Sequence, residues 1–154
     1  MADMVIDEWL WADLAGVNST EKQKQSFTFL EAVFKKCDRI VSVKGSRFEE
    51  KAVCLWKHTD VARRKIARFY MECFQYNSDK TVLLEEEDLH CLPELIATDI
   101  EERDQYLVRA YLTAGASIVV TTDTDLKNAL AKHNLQCEYR DEFVSNYISQ
   151  YRHK

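Results

Sequence analysis

Four acidic positions stand where an α/β chain could use them for chemistry. Asp7 follows the apolar run Met4-Val5-Ile6, Glu50 follows Arg39-Ile40-Val41-Ser42-Val43 and a Gly45-Ser46 turn, Asp104 sits in a helical pattern, and Asp123 follows Ile118-Val119-Val120. Asp125 comes just after, in Thr121-Thr122-Asp123-Thr124-Asp125-Leu126. A β-branched run that stops at Asp-Thr-Asp and passes into a helical pattern reads as a buried parallel strand delivering carboxylates to its C-terminal end. Open α/β sheets bind ligands at that edge. Two carboxylates about 4 Å apart repel by roughly 4 kcal/mol at an effective dielectric near 20, so a group of them requires a proton, a Lys or Arg, or a metal ion. Oxygen-only ligation points to Mg2+ or Mn2+ rather than zinc. Such ions, usually two and about 3.5 to 4 Å apart, deprotonate a water for in-line attack on a phosphodiester and stabilise the leaving oxygen.

The elements that must position these acids alternate. Strands are expected at 4–6, 39–43, 81–84, 117–122 and 136–139, each a short apolar or β-branched run bounded by turn or capping residues. Between them lie helical patterns: 8–14, one capped by Asn18-Ser19-Thr20-Glu21 with Phe27, Leu30, Val33, Phe34 and Cys37 as its apolar face, one from Arg47, and one from Asp60 to Tyr76. The last of these has Val61, Ile66, Phe69, Tyr70 and Cys73 as its expected buried stripe. Thr98-x-x-Glu101 has the form of a capping box, opening a helix that ends near Gly115; helices at 124–133 and 141–151 follow. In the helix from Thr98 the stripe Ile100, Leu107, Val108, Tyr111 and Leu112 runs through Asp104, so that carboxylate is expected to point inward. Strands alternating with helices give a three-layer α/β/α sandwich with a mostly parallel central sheet, one domain spanning 1–154. Asp7, Asp123 and the start of the Glu50 helix then share one edge.

At 154 residues the chain is long enough to bury roughly two thirds of its unfolded surface in a single core. The apolar runs are too short to span a membrane, and Asp3, Asp7 and Glu8 occupy the stretch where a signal peptide needs basic charge; the expectation is a cytoplasmic protein without a membrane partner. Five cysteines without C-x-x-C spacing are expected to be reduced core residues, and the histidines have no metal-ligand spacing. The net charge of -5 argues against a protein that coats nucleic acid but hides an asymmetry. Residues 35–68 carry eleven Lys or Arg against four acids, whereas 85–104 carry nine acids against Arg103 alone. A basic flank beside a carboxylate cluster suits an anionic substrate, and a solvated helix face would look the same.

Asp104-x-x-Leu107-x-x-Ala110 followed by the strand ending Thr121-Thr122-Asp123-Thr124-Asp125-Leu126 resembles the PIN-domain nucleases, a family of RNA-processing endonucleases and toxins of toxin-antitoxin pairs. Met4-Val5-Ile6-Asp7 looks like that family's first strand and its Asp, and Phe48-Glu49-Glu50 is similar to its Glu-bearing helix, with Glu50 the better fit and Glu49 the alternative. The chain departs from the pattern at Trp9, where the family has a small hydroxyl or amide residue. The resemblance implies a PIN-like fold and a metal-dependent endoribonuclease in which Asp7, Glu50, Asp104 and Asp123 are catalytic. These four, assisted by Asp125, would bind Mg2+ or Mn2+. It also implies RNA as substrate, and as partners an antitoxin or other regulatory protein and a second copy in a homodimer. The competing reading keeps the fold without the chemistry, as a degenerate RNA-binding or protein-interaction module.

Each acid also has a plainer reading. Asp123 could simply cap the following helix, Glu50 could be a first-turn acid favoured by the helix dipole, and Trp9 and Trp11 could fill the core.

Overall fold

The computed structural model describes Met1–Arg152. Its five strands are β1 (Asp3–Ile6), β2 (Arg39–Val43), β3 (Thr81–Leu84), β4 (Ile118–Thr121) and β5 (Cys137–Tyr139). They form one sheet in the order β3-β2-β1-β4-β5, and every pairing is parallel. The helices are α1 (Trp9–Leu14), α2 (Thr20–Lys35), α3 (Arg47–Trp56), α4 (Val61–Tyr70), α5 (Glu94–Asp99), α6 (Gln105–Ala114), α7 (Thr124–Lys132) and α8 (Arg140–Arg152). A π-helical turn, Met71–Gln75, extends α4.

Two cores, one on each face of the sheet, make this a three-layer α/β/α sandwich. Met4, Ile6, Ile40 and Val120 point to one face, where α1, α2, α3, α4 and α8 cover them. Val5, Val41, Val43 and Val119 point to the other, under α6 and α7. The period of two along each strand sends alternate side chains to opposite layers, so both faces need apolar residues and the strands read as unbroken apolar runs. Each fully buried Val, Leu or Ile contributes about 1.5–3 kcal/mol.

The chain runs from β1 outward to β2 and β3, then crosses back to place β4 on the other side of β1. Strand order therefore reverses between β1 and β4, and a crevice opens there beyond their C-terminal ends. The opposite edge is closed by charge: Arg39 donates through Nε and Nη2 to Asp3 Oδ1 and Oδ2, both at 2.8 Å. Among the described residues no helix is long and apolar enough to cross a membrane.

Three expectations need correction. Thr98 opens no helix: it lies inside α5, its Oγ1 donating to Glu94 O at 2.8 Å. A 3-10 turn at Glu102–Asp104 then leads into α6, so Asp104 sits at a helix entrance rather than mid-helix. The cysteines are not core residues, since Cys37, Cys54 and Cys91 are exposed and Cys73 and Cys137 half-buried, all as free thiols. The apolar stripes are also incomplete: Phe34 on α2, and Val61 and Phe69 on α4, are exposed. In α4 only Ala67 and Tyr70 are buried.

Candidate functional site

Asp7, Asp104 and Asp123 line one cavity of about 260 Å³ at the crevice between β1 and β4. Asp7 is carried there by β1, whose ladder it extends by donating its N–H to Val120 O at 3.0 Å. Asp123 follows β4 directly and caps α7, its Oδ1 accepting from the N–H groups of Asp125 (2.9 Å) and Leu126 (3.2 Å). The capping reading of Asp123 is thus correct, and it leaves the second oxygen uncommitted. Asp104 is brought in from the other layer by the turn before α6.

Thr121 links two of the three. Its hydroxyl donates to Asp7 Oδ2 at 2.8 Å and accepts from the Asp123 N–H at 3.0 Å. Asp7 Oδ1 accepts from the Glu8 N–H at 2.7 Å. Asp7 is nevertheless held above the ordinary carboxylate range, chiefly by burial, which these two hydrogen bonds only partly offset.

Asp104 is the least satisfied. Burial pushes its carboxyl up to about 6, with the charges of Asp7 and Asp123 adding to the effect. Arg103 Nε stands 4.0 Å from its Oδ2, too far for a hydrogen bond. Asp104 and Asp123 also line a smaller cavity of about 30 Å³, together with Asp99, Glu101 and the exposed Asp125. Asp99 is already used there, its carboxyl lowered by hydrogen bonds from Lys132 and His133.

Glu50 is not brought to the aspartates. It is exposed on α3 and lines a neighbouring cavity, while Glu49 accepts from the Gly45 N–H at 3.2 Å and from Gln75 Nε2 at 2.9 Å, closing the start of α3. The acid that does enter the aspartate cavity is Glu8, with its Oε1 3.2 Å from Lys51 Nζ and 3.5 Å from Arg47 Nε. Sequence reasoning passed over Glu8 and Arg47. The available signal was the i, i+4 spacing of Arg47 and Lys51, which puts two cations on one face of α3.

Trp9 is a core residue that also lines this cavity, its indole donating to Val120 O at 2.9 Å. Trp11 is buried against Phe48 and Tyr70. The Arg64, Lys65 and Arg68 side chains lie elsewhere, around a cavity with Trp56 and Val61.

The donor chemistry suits a hard divalent cation: carboxylate oxygens only, partly buried, with more negative charge than Arg47, Lys51 and Arg103 offset. The set is open as it stands. Among the described residues no three His, Cys, Asp or Glu side chains are close enough together to hold an ion. Each Asp7 oxygen and Asp123 Oδ1 accept hydrogen bonds from the protein and retain a further lone pair, whereas Asp104 and Asp123 Oδ2 accept none among the described residues.

Comparison with protein-family models finds no family that matches this chain, and comparison with curated proteins finds no relative.

Proposed function

We propose that this protein is a divalent-metal-dependent endoribonuclease, PIN-like in fold and site. Asp7, Asp104 and Asp123 would hold Mg2+ or Mn2+, with Asp125 at the margin and Glu50 in the adjoining cavity. One observation carries this reading: three aspartates from distant segments line one cavity at the strand-order reversal, Asp7 and Asp104 are withdrawn from water, and Asp104 has no hydrogen-bond partner there. Perturbed acids grouped in a crevice are the mark of a functional site. A bound ion would supply Lewis acidity and an activated water. The chain's own part is to hold the acids in place through Thr121 and the α7 cap. Arg47, Lys51 and Arg103 would draw a phosphodiester against an edge that would otherwise repel it. An antitoxin, another regulatory protein or a second copy of the chain are the partners this reading implies.

The test is cleavage of an end-labelled single-stranded RNA. Activity should require Mg2+ or Mn2+, vanish in chelator, and fall by roughly a hundredfold or more in Asp104→Asn and Asp123→Asn. Full activity in Asp123→Asn would exclude the site.

The pairing of Glu8 with Arg47 and Lys51 favours a second reading, a nuclease-like module that binds RNA or protein without cutting. Calorimetry separates the two: the module takes up no divalent ion while retaining affinity for RNA.

A further inference from the structure

α3 carries Arg47 and Lys51 to the aspartate cavity and ends at Trp56, about 14 Å further along the helix axis from Arg47. There the chain turns, Asp60 caps α4, and a recess of about 240 Å³ opens where the two helices meet. It is lined by Trp56, Val61, Arg64, Lys65 and Arg68, with no carboxylate among the described residues. The last four stand at i, i+3, i+4 and i+7, so they share the face of α4 turned away from Tyr70 in the core. Like charges three and four residues apart repel, and this stripe destabilises α4 unless an anion neutralises it. The protein supplies little of that. The Arg64 and Lys65 side chains have no ion-pair or hydrogen-bond partner among the described residues, and Arg68 has the exposed Glu72, Nε to Oε1 at 2.9 Å. A pair as exposed as that contributes little.

Trp56 adds a flat apolar surface to these cations. Of the three tryptophans, Trp9 is buried near Arg140 and Trp11 against Phe48 and Tyr70. Trp56 is 42% exposed, and among the described residues no aromatic ring or cation stacks on it. Cations alone would suit any anion. A nucleic-acid strand matches the recess more closely, because it joins phosphates to bases that stack on exposed aromatic rings. A membrane anchor has to project, whereas Trp56 lines a recess and is more than half covered. A docked helix needs several apolar anchor points, and among the described residues Trp56 and Val61 are the only apolar side chains lining the recess. We propose that the recess between α3 and α4 is a docking site for single-stranded nucleic acid, with a base stacked on Trp56 and the flanking phosphates held by Arg64, Lys65 and Arg68. Its role in cleavage rests on the nuclease reading, under which the strand is the RNA substrate gripped at the end of α3 away from the aspartates. The binding itself does not depend on that reading.

Tryptophan emission of the full chain in chelator, where nothing is cut, tests it by titration with single-stranded oligoadenylate. Binding should quench the emission, because a stacked base covers the exposed indole. Trp56→Ala should abolish the quench and weaken binding, read by anisotropy of a labelled strand, roughly five- to a hundredfold. Arg64→Gln, at an exposed position, should flatten the dependence of log affinity on log salt concentration by about 0.7. Oligodeoxyadenylate should bind as tightly as the RNA, since neither stacking nor a phosphate contact registers the sugar. An emission that does not respond, a quench that persists in Trp56→Ala, an unchanged salt slope in Arg64→Gln or an unbound deoxy strand overturns the site. Oligoglutamate bound as tightly as the RNA would replace it with an acidic-peptide site, and a blue shift with phosphatidylserine vesicles would replace it with a membrane surface. The two proposals fail separately. Quenching without any cleavage keeps the recess and removes the nuclease, whereas metal-dependent cleavage without quenching keeps the nuclease and removes the recess.

Discussion

Asp13 and Asp104 are both carboxylates withdrawn from water, at 1% and 7% relative exposure, and the fold treats them in opposite ways. Asp13, on α1, accepts from Arg140 Nε at 2.8 Å, from Ser26 Oγ at 3.3 Å and from Asn18 Nδ2. Arg140 is itself 2% exposed, and its remaining donors reach Gln25 Oε1, Asp141 Oδ1, Lys22 O and Ser26 Oγ. Every charge in that group is answered by the protein, and the group ties α1, α2 and α8 into one layer. Asp104 has no such answer. Its neighbours are two more acids and an arginine at 4.0 Å. A buried carboxylate that is paired on all sides is architecture, and one left unpaired among others of its kind stores the free energy that a ligand can recover.

Matched substitutions expose the difference, because Asp→Asn keeps the shape while removing the charge and turning one acceptor oxygen into an NH2 donor. At Asp13 it leaves the Arg140 guanidinium buried without its counter-ion, and breaking a buried pair by removing one partner costs about 3–5 kcal/mol. Asp13→Asn should therefore lose that much stability in urea or thermal denaturation. Asp13→Asn as stable as the parent would mean that the network is not what holds α8 against α2.

At Asp104 the sign reverses. Its carboxyl titrates near 6 in the folded protein and near 3.8 when free, so the folded state holds the proton more tightly. The stability this provides is complete below about 3.8 and is lost as pH rises through about 6. Above that pH the ionised group is a burden, and Asp104→Asn should raise stability by roughly 1–2 kcal/mol in metal-free buffer at pH 8. The gain should vanish near pH 3.5. A variant that gains nothing at pH 8 would show that water or a neighbouring cation already satisfies this carboxylate.

How much of this was legible in the sequence follows the same division. The sheet was legible because its signal is local: short apolar or β-branched runs bounded by turn and capping residues, read at 4–6, 39–43, 81–84, 117–122 and 136–139, need no distant partner to be read as strands, and the structure trims only the ends of the last two to Ile118–Thr121 and Cys137–Tyr139. Asp7 and Asp123 were placed on one edge by topology alone, and Asp104 was read as inward. The reason for its burial was misjudged, since α5 ends at Asp99, Ile100 is extended and buried in the core, and a 3-10 turn then carries Asp104 to the entrance of α6. Arg140 was invisible. It begins a helix, a position normally exposed, and its partner Asp13 lies 127 residues away. Glu50 illustrates the same limit, because the rotation of α3 about its own axis turns Arg47 and Lys51, not Glu50, toward the aspartate cavity, where Glu8 from the turn before α1 meets them, and tertiary packing sets that rotation. The cysteines failed for a simpler reason: several sit at helix ends, where apolar spacing no longer reports burial.

The smallest effect belongs to Trp9, which stands between the two regions. Its ring lies 5.5 Å from the Arg140 guanidinium carbon, and its indole N–H donates to Val120 O, which also receives the Asp7 N–H. Trp9→Phe keeps most of the apolar surface and removes the indole donor. Val120 O retains one partner, so the loss should be at the lower end for a hydrogen bond, about 0.5–1 kcal/mol. The metal-free pH dependence assigned to Asp104 should be unchanged, because nothing near that carboxylate has moved. If Trp9→Phe instead shifts the pH at which Asp104 ionises, α1 is holding the aspartate edge as well as the Arg140 network. Asp13 and Asp104 would then be two ends of one mechanical unit rather than separate solutions to the burial of charge.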